Sequence, residues 1–265
     1  MTAYDYPTGR AIDRAHLDMC LVGDSLAMVA LGYASTTQVT MDEMIHHARA
    51  VARGCKRAFL IGDLPFGAFE HPQDAARNAA RYVREAQMEA VKLEGGRDMA
   101  PSVREIVRCG VPVMGHIGLT PQRQTQLGGF RVQGKSLAAA QRLVEDALAL
   151  QDAGCFSLVL EAIPEDVAAY ITQRLAIPTI GIGAGASTSG QVLVLPDALG
   201  VEDRVPKFCR QFGDLGHATT AALAEYHASV REGRFPQSGT HTYAMPAAER
   251  EAFLAWTASQ PSKNS

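Results

Sequence analysis

The sequence has no apolar run approaching the ~20 residues that a membrane-crossing helix needs. Its opening residues, MTAYDYPTGR, contain no hydrophobic signal core. The expected location is therefore the cytoplasm, with no membrane partner. A basic stripe is also missing, and the formal net charge is -3, which speaks against a nucleic-acid partner. There is no CxxC. The cysteines are Cys20, Cys55, Cys109, Cys155 and Cys209, an odd number that excludes a complete disulfide framework and suits a reducing compartment. Cys55, Cys109 and Cys155 each neighbour a glycine at an expected helix end, where buried structural thiols are the natural reading. The single tryptophan, Trp256, reads as packing rather than ligand recognition.

What is present is alternation. Short, nearly continuous apolar runs (MCLVGD, RAFLIGDLPF, AVKLEGG, VPVMGHIG, FSLVLEAIP, IPTIGIGAG and QVLVLPDA) are separated by longer segments of helical period. Runs of this kind suit parallel strands covered on their outer face. Thr40 and Glu43 form a capping box that opens a helix with Met41, Met44, Ile45, Ala48 and Val51 on one side. Gly54 suits the left-handed position at its end. The next helix starts near Pro72, with Ala76, Ala79, Ala80 and Val83 on one face. Others are expected over 101–108, 137–152, 165–175 and 214–231.

Seven strands plus a first one in TAYDY, with 265 residues in all, match a (β/α)8 TIM barrel with a shortened first strand. The whole chain, 1–265, reads as one domain, with 206–265 as a C-terminal helical extension. The last residues, QPSKNS, are expected to lack fixed structure.

Polar residues recur at the C-terminal ends of the runs, where barrel active sites lie. Asp24 ends MCLVGD, Asp63 ends FLIGD and Glu94 follows VKL. One such acid alone would be ordinary turn chemistry. Three converging on one mouth would repel each other unless a cation lay among them, and oxygen-only ligands suit Mg2+ better than zinc. One of the three is free to act through water. Lys92 lies two residues before Glu94 and faces the same way. A buried lysine needs a partner. Three carboxylates, one dication and one ammonium sum to zero formal charge, which leaves room for an anionic substrate on Lys92. The alternative is a simple pair of Lys92 with a core carboxylate. His116 ends VPVMGH at the same level, with structural and active-site roles equally open. Glu161 ends SLVLE and has the position of a general acid or base.

GIGAGAST is a poor match to a dinucleotide loop, because no acidic partner follows at the next strand end; it reads as a glycine-rich strand end. LGGFRVQGK follows the HIG strand, and Gly128, Gly129 and Gly134 suit either a lid or a solvated loop. His46, His47 and His71 read as solvated or structural.

With these residues assembled, the chain resembles the ketopantoate hydroxymethyltransferase family. The motifs AYDYP, LVGDSLAMV, DLPFG, VKLEGG, VMGHIGLTPQ, GGFRVQGK, LVLEAIP, IPTIGIGAG, GQVLV and GRFP occur in order. The resemblance implies a (β/α)8 barrel of the phosphoenolpyruvate and pyruvate type, assembled as a homodecamer. It implies transfer of a one-carbon unit from methylene-tetrahydrofolate to 3-methyl-2-oxobutanoate, giving 2-dehydropantoate for pantothenate and coenzyme A synthesis. It places Mg2+ on Asp24, Asp63 and Glu94. The keto acid falls on Asp24, Ser25, Asp63, Lys92 and His116, and Glu161 matches the family's proton acceptor.

The chain departs from that pattern in several places. The family pattern begins upstream of Met1. Ser189 stands where the family has Asp, Pro196 where it has His, Ala27 where it has Gly, and Gln87-Met88 where it has small residues. The Ser189 and Pro196 changes fall in segments expected to face the folate. A related lyase or aldolase acting on another 2-keto acid, and a non-catalytic paralogue, are the competing readings. A Schiff-base aldolase using Lys92 is a further one.

Overall fold

In a computed structural model, which describes residues 1–202 and 204–260, the apolar runs become seven parallel strands. They are β1 (Met19–Val22), β2 (Phe59–Asp63), β3 (Ala90–Lys92), β4 (Val113–Gly118), β5 (Ser157–Glu161), β6 (Thr179–Ile182) and β7 (Gly190–Gln191). They lie side by side in chain order, with helices in every connection except the short one from β6 to β7, the alternation of βαβ units.

The eighth place is taken by the first three residues. Leu21 N–H donates to Met1 O at 3.0 Å and Ala3 N–H to Leu21 O at 2.9 Å. On the other side Thr2 N–H donates to Leu193 O at 3.3 Å. These bonds join both edges of the sheet. The expected first strand in TAYDY is thus shorter than its motif. Asp5 is already a helix cap, accepting from Thr8 N–H at 2.8 Å and opening the helix Tyr6–Arg14.

The alternation of side chains along each strand separates two apolar layers. Cys20, Val22, Leu60, Val91, Val113, Leu158 and Leu160 face the helices and join the larger core. Leu21, Ile61, Ala90, Met114, Val159 and Ile182 form the smaller core within the barrel. Fully burying a leucine or isoleucine contributes about 1.5–3 kcal/mol. These two layers therefore carry most of the stabilisation that fixes the strand ends.

The helix Met41–Gly54 has the expected capping box: Glu43 N–H donates to Thr40 Oγ1 at 3.3 Å and Thr40 N–H to Glu43 Oε2 at 2.8 Å. Gly54 has a different reason from the one expected. It is the last helical residue rather than a left-handed cap, and a Cβ there would collide with the Tyr6 carbonyl oxygen. The helix Pro72–Ala86 also differs. Its buried face is Ala75, Ala76, Ala79, Tyr82 and Ala86, while Val83 is exposed. The stripe is turned towards Tyr82, whose ring occupies the space a Cβ on Gly62 would need. Cys55 and Cys155 are buried as expected, but Cys109, at the outer end of its helix, is exposed.

The chain forms two compact units, Met1–Gly213 and Asp214–Ser265. The first contains all seven strands. The second contains the helices Leu215–Arg231 and Ala247–Ala258, with Leu223, Tyr226 and Trp256 exposed. Of the tail QPSKNS, residues 261–265 lie outside the described residues. No described helix is long and apolar enough to cross a membrane.

Candidate active site

Two residues beyond the inner apolar layer, the same strands end in ionisable groups. Asp63 follows Ile61, Lys92 follows Ala90, His116 follows Met114 and Glu161 follows Val159. A period of two puts all four on the inner face, one step nearer the C-terminal mouth. Glu94 continues the phase of Ala90 and Lys92. Asp24 and Ser25 come from the turn after β1. All seven line one cavity of about 660 Å3.

The Lys92 ammonium donates to both Asp63 oxygens, at 2.7 and 2.8 Å, and lies 3.7 Å from Glu94 Oε1. Asp63 and Lys92 are register partners on β2 and β3, so sheet pairing alone brings them together. Asp63 also accepts from the Asp24 N–H at 3.2 Å. Behind it, the Tyr82 hydroxyl donates to the Asp63 carbonyl at 2.5 Å. His116 stands between two acids. Its Nδ1 is 3.5 Å from Glu94 Oε1 and its Nε2 is 3.2 Å from Glu161 Oε2. Neither ring nitrogen has a well-formed hydrogen bond among the described residues.

These groups are almost dry. Asp63 and Glu94 are each 1 % exposed, Lys92 4 % and Asp24 5 %. Burial raises the Asp24 carboxyl well above the usual carboxylate range, and the Asp63 and Glu94 charges push it further. Burial also raises Asp63, against the pull of Lys92. For Glu94 burial works upward, but His116 and Lys92 outweigh it and hold the carboxyl low. Burial would discharge Lys92, yet Asp63, Glu94 and Asp24 keep it charged and raise its pKa. Burial and Lys92 press His116 downward; Glu161 and Glu94 overcome both and lift it to about 9.

The donor set is compatible with a divalent cation. Three buried carboxylates are offset only in part by one ammonium, and Glu94 Oε1 has no hydrogen-bond partner among the described residues. Asp63 is not free in this arrangement, since Lys92 occupies both its oxygens. Accordingly, no three His, Cys, Asp or Glu side chains among the described residues converge closely enough to hold an ion between them.

The loop after β4 supplies Phe130, Arg131 and Val132 to the cavity wall, and Gln133 N–H pins it to Ala162 O at 2.9 Å. Ala162 itself has φ 47°, the left-handed region that non-glycine residues seldom adopt, directly after Glu161. Of the unusual residues, Ser189 lies away from the mouth. It precedes β7, and its hydroxyl accepts from Thr179 N–H at 3.1 Å at the start of β6. The expectation that Ser189 faces a co-substrate is therefore not met, because strand starts lie at the opposite end from the site. Pro196 opens the turn Leu195–Leu199, whose Asp197 does line the cavity.

The sequence reading missed Gln122, which is 3 % exposed. Its side-chain amide donates to Asp24 Oδ2 and to Leu64 O, both at 2.9 Å, and its backbone N–H donates to Glu94 Oε2 at 3.0 Å. The available signal was a polar residue directly after Pro121, in the turn that follows a buried strand. Thr2 and Tyr4 were missed too: Leu195 N–H donates to Thr2 Oγ1, Thr2 Oγ1 donates to the Tyr4 hydroxyl, and that hydroxyl meets Ser25 Oγ, each at 2.8 Å.

A closed parallel barrel with a buried ionic cluster at its C-terminal mouth defines an enzyme of the (β/α)8 class. The sequence model of the ketopantoate hydroxymethyltransferase family matches residues 1–238. The 3-methyl-2-oxobutanoate hydroxymethyltransferase of Oleidesulfovibrio alaskensis is 57 % identical over 253 residues, covering 94 % of this chain and 87 % of that protein. The protein of the same name from Heliobacterium modesticaldum is 54 % identical over 247 residues, covering 92 % and 89 %. Among solved structures, phosphonopyruvate hydrolase in complex with oxalate and Mg2+ superposes with TM-score 0.59. It has 11 % identity and covers 98 % of this chain and 92 % of that one, a likeness of fold. The chain belongs to the ketopantoate hydroxymethyltransferase family.

Proposed function

We propose that this chain transfers a hydroxymethyl group from methylene-tetrahydrofolate to 3-methyl-2-oxobutanoate, giving 2-dehydropantoate for pantothenate synthesis. The observation that carries the reading is the single cavity in which Asp24, Asp63, Lys92, Glu94, His116 and Glu161 meet. Relatives more than half identical over most of the chain bear the name of this activity.

Lys92 supplies the positive charge that attracts the substrate carboxylate. Ser25, Asp24, Asp63 and His116 line the same space and orient the acid. Glu161, at the strand end with 14 % of its side chain exposed, accepts the proton leaving C3. His116, 3.2 Å away, stabilises the Glu161 carboxylate before the transfer. The net change joins C3 to the methylene carbon, with water supplying the hydroxyl and tetrahydrofolate leaving. Asp24 and Glu94, with Asp63 once it is released from Lys92 or acting through water, would hold a Mg2+ ion. When bound, such an ion acts as a Lewis acid towards negative charge on the keto oxygen.

The cavity has the volume of a site for a ligand much larger than a five-carbon acid, within the range of ~300–1,000 Å3 for drug-sized ligands. Its outer wall of Met28, Phe130, Val132 and Phe208, with Arg131 and Lys207, suits a flat, anionic co-substrate such as a folate. A homo-oligomer in the cytoplasm, decameric as in the family pattern, completes the reading.

The test is formation of 2-dehydropantoate from the two substrates, with and without Mg2+. Product that needs both substrates and is abolished by EDTA is expected. Full turnover in EDTA would overturn the metal-dependent reading.

A further inference from the structure

Gln122 lies behind the carboxylates rather than among the residues that line the cavity. It is nevertheless bonded to two of them. Asp24 comes from the turn after β1 and Glu94 from the segment after β3, far apart in sequence and held by different elements. Gln122 reaches Asp24 Oδ2 with its side-chain amide and Glu94 Oε2 with its backbone N–H. The same amide donates to Leu64 O, the residue directly after Asp63. One residue thus ties together the three turns that carry the acids.

Two features show that this link is specific. Pro121 opens the short turn Pro121–Arg123. The N–H of the next residue has no partner within such a first turn and is free to be donated outward. The amide orientation is also fixed. Its nitrogen faces two acceptors, and turning it over would set its oxygen against both. The consequence is that Gln122 Oε1 is buried without a partner. A buried amide oxygen left unpaired is unfavourable and uncommon in native proteins. The chain tolerates it where the other end of the amide fixes a buried carboxylate.

We propose that Gln122 is a positioning residue for the cation site, setting Asp24 and Glu94 against each other before the ion arrives. This rests on the reading above that the carboxylates hold a divalent ion. Groups that orient metal ligands commonly contribute ~10–100-fold in metal affinity. Gln122 touches neither the reacting atoms nor the cavity, so its loss should weaken binding of the ion and leave the chemistry intact once the ion is bound.

The experiment is calorimetric titration of the full chain with Mn2+, alongside turnover across a range of Mn2+ concentrations. Gln122→Met keeps the volume and removes the donor; Gln122→Asn keeps the amide but shortens its reach. Both retain the backbone bond to Glu94. The expected result is Mn2+ affinity at least roughly tenfold weaker in either folded variant, with kcat near wild type at saturating Mn2+. A purely structural role would instead lower kcat even at saturation. Wild-type affinity in a folded variant would overturn the proposal alone. Absence of Mn2+ binding to the unaltered chain would overturn the cation reading and this proposal with it. If the Met variant does not fold, the Asn variant is read in the same way.

Discussion

Lys92 and Asp63 are partners twice over: their α-carbons pair across β2 and β3, and the ammonium reaches both carboxylate oxygens at 2.7 and 2.8 Å. Neither charge has access to bulk water. Removing one member leaves the other buried and uncompensated, which typically costs about 3–5 kcal/mol. Lys92→Met is therefore expected to unfold at markedly lower denaturant concentration and to lose turnover. The double variant Lys92→Met with Asp63→Asn should recover part of the stability but none of the turnover. Equal stability of the Lys92→Met single variant and wild type, measured by urea unfolding, would show that the pair is not the counter-charge described.

Glu161 tests the proton-transfer half of the proposal. Glu161→Gln keeps the shape of the side chain and removes its basicity. General-base contributions are about 10²–10⁴-fold, and C3 proton exchange of 3-methyl-2-oxobutanoate in deuterated water should slow by that order. Binding of the keto acid should persist, because Lys92 is untouched. Undiminished exchange, followed by proton resonance, would move the role of base to another residue.

Why were these residues visible before the structure, and others not? Asp63, Lys92, His116 and Glu161 each stand two positions beyond an apolar residue in a buried run. The strand period then fixes the face as well as the height of each side chain. Gln122 has no such phase: it lies in a turn, is neutral, and acts through bonds to distant elements. The helix Pro72–Ala86 is rich in alanine, so its apolar stripe is nearly degenerate, and the size of Tyr82 decided which face turned inward. Ser189 looked close to the site because strands near the mouth flank it in sequence. It precedes its strand, however, and precedence in a parallel barrel means the opposite end. Neighbouring a glycine likewise did not determine whether Cys109 was buried.

The raised Asp24 pKa has a definite sign. In the metal-free chain the folded carboxyl holds its proton above the pH at which the unfolded one has released it. The associated stability is fully present below the ordinary carboxylate pKa and is lost as pH rises through the raised value. A divalent ion favours the ionised form and displaces that proton. The increase in Tm on adding Mg2+ should therefore grow as pH rises above the ordinary carboxylate range, and binding should release protons, measurable as heats that vary with buffer ionisation enthalpy. A Tm increase independent of pH, with buffer-independent heats, would contradict the assignment of Asp24 to the cation.

Barrel closure and the site are joined through Thr2. Its Oγ1 accepts from Leu195 N–H and donates to the Tyr4 hydroxyl, which in turn contacts Ser25 Oγ. Tyr4 is buried. Tyr4→Phe removes both hydroxyl contacts while preserving the ring, so about 1 kcal/mol of stability should be lost. Thr2→Val is the more severe change, because it leaves the Leu195 N–H without its partner, at about 1–3 kcal/mol, and removes one of the two contacts of the Tyr4 hydroxyl, which keeps Ser25. If Ser25 helps to orient the keto acid, both variants should raise its KM by more than they lower kcat. The opposite pattern, lower kcat at unchanged KM, would mean that the Thr2–Tyr4–Ser25 chain only closes the barrel and does not position substrate.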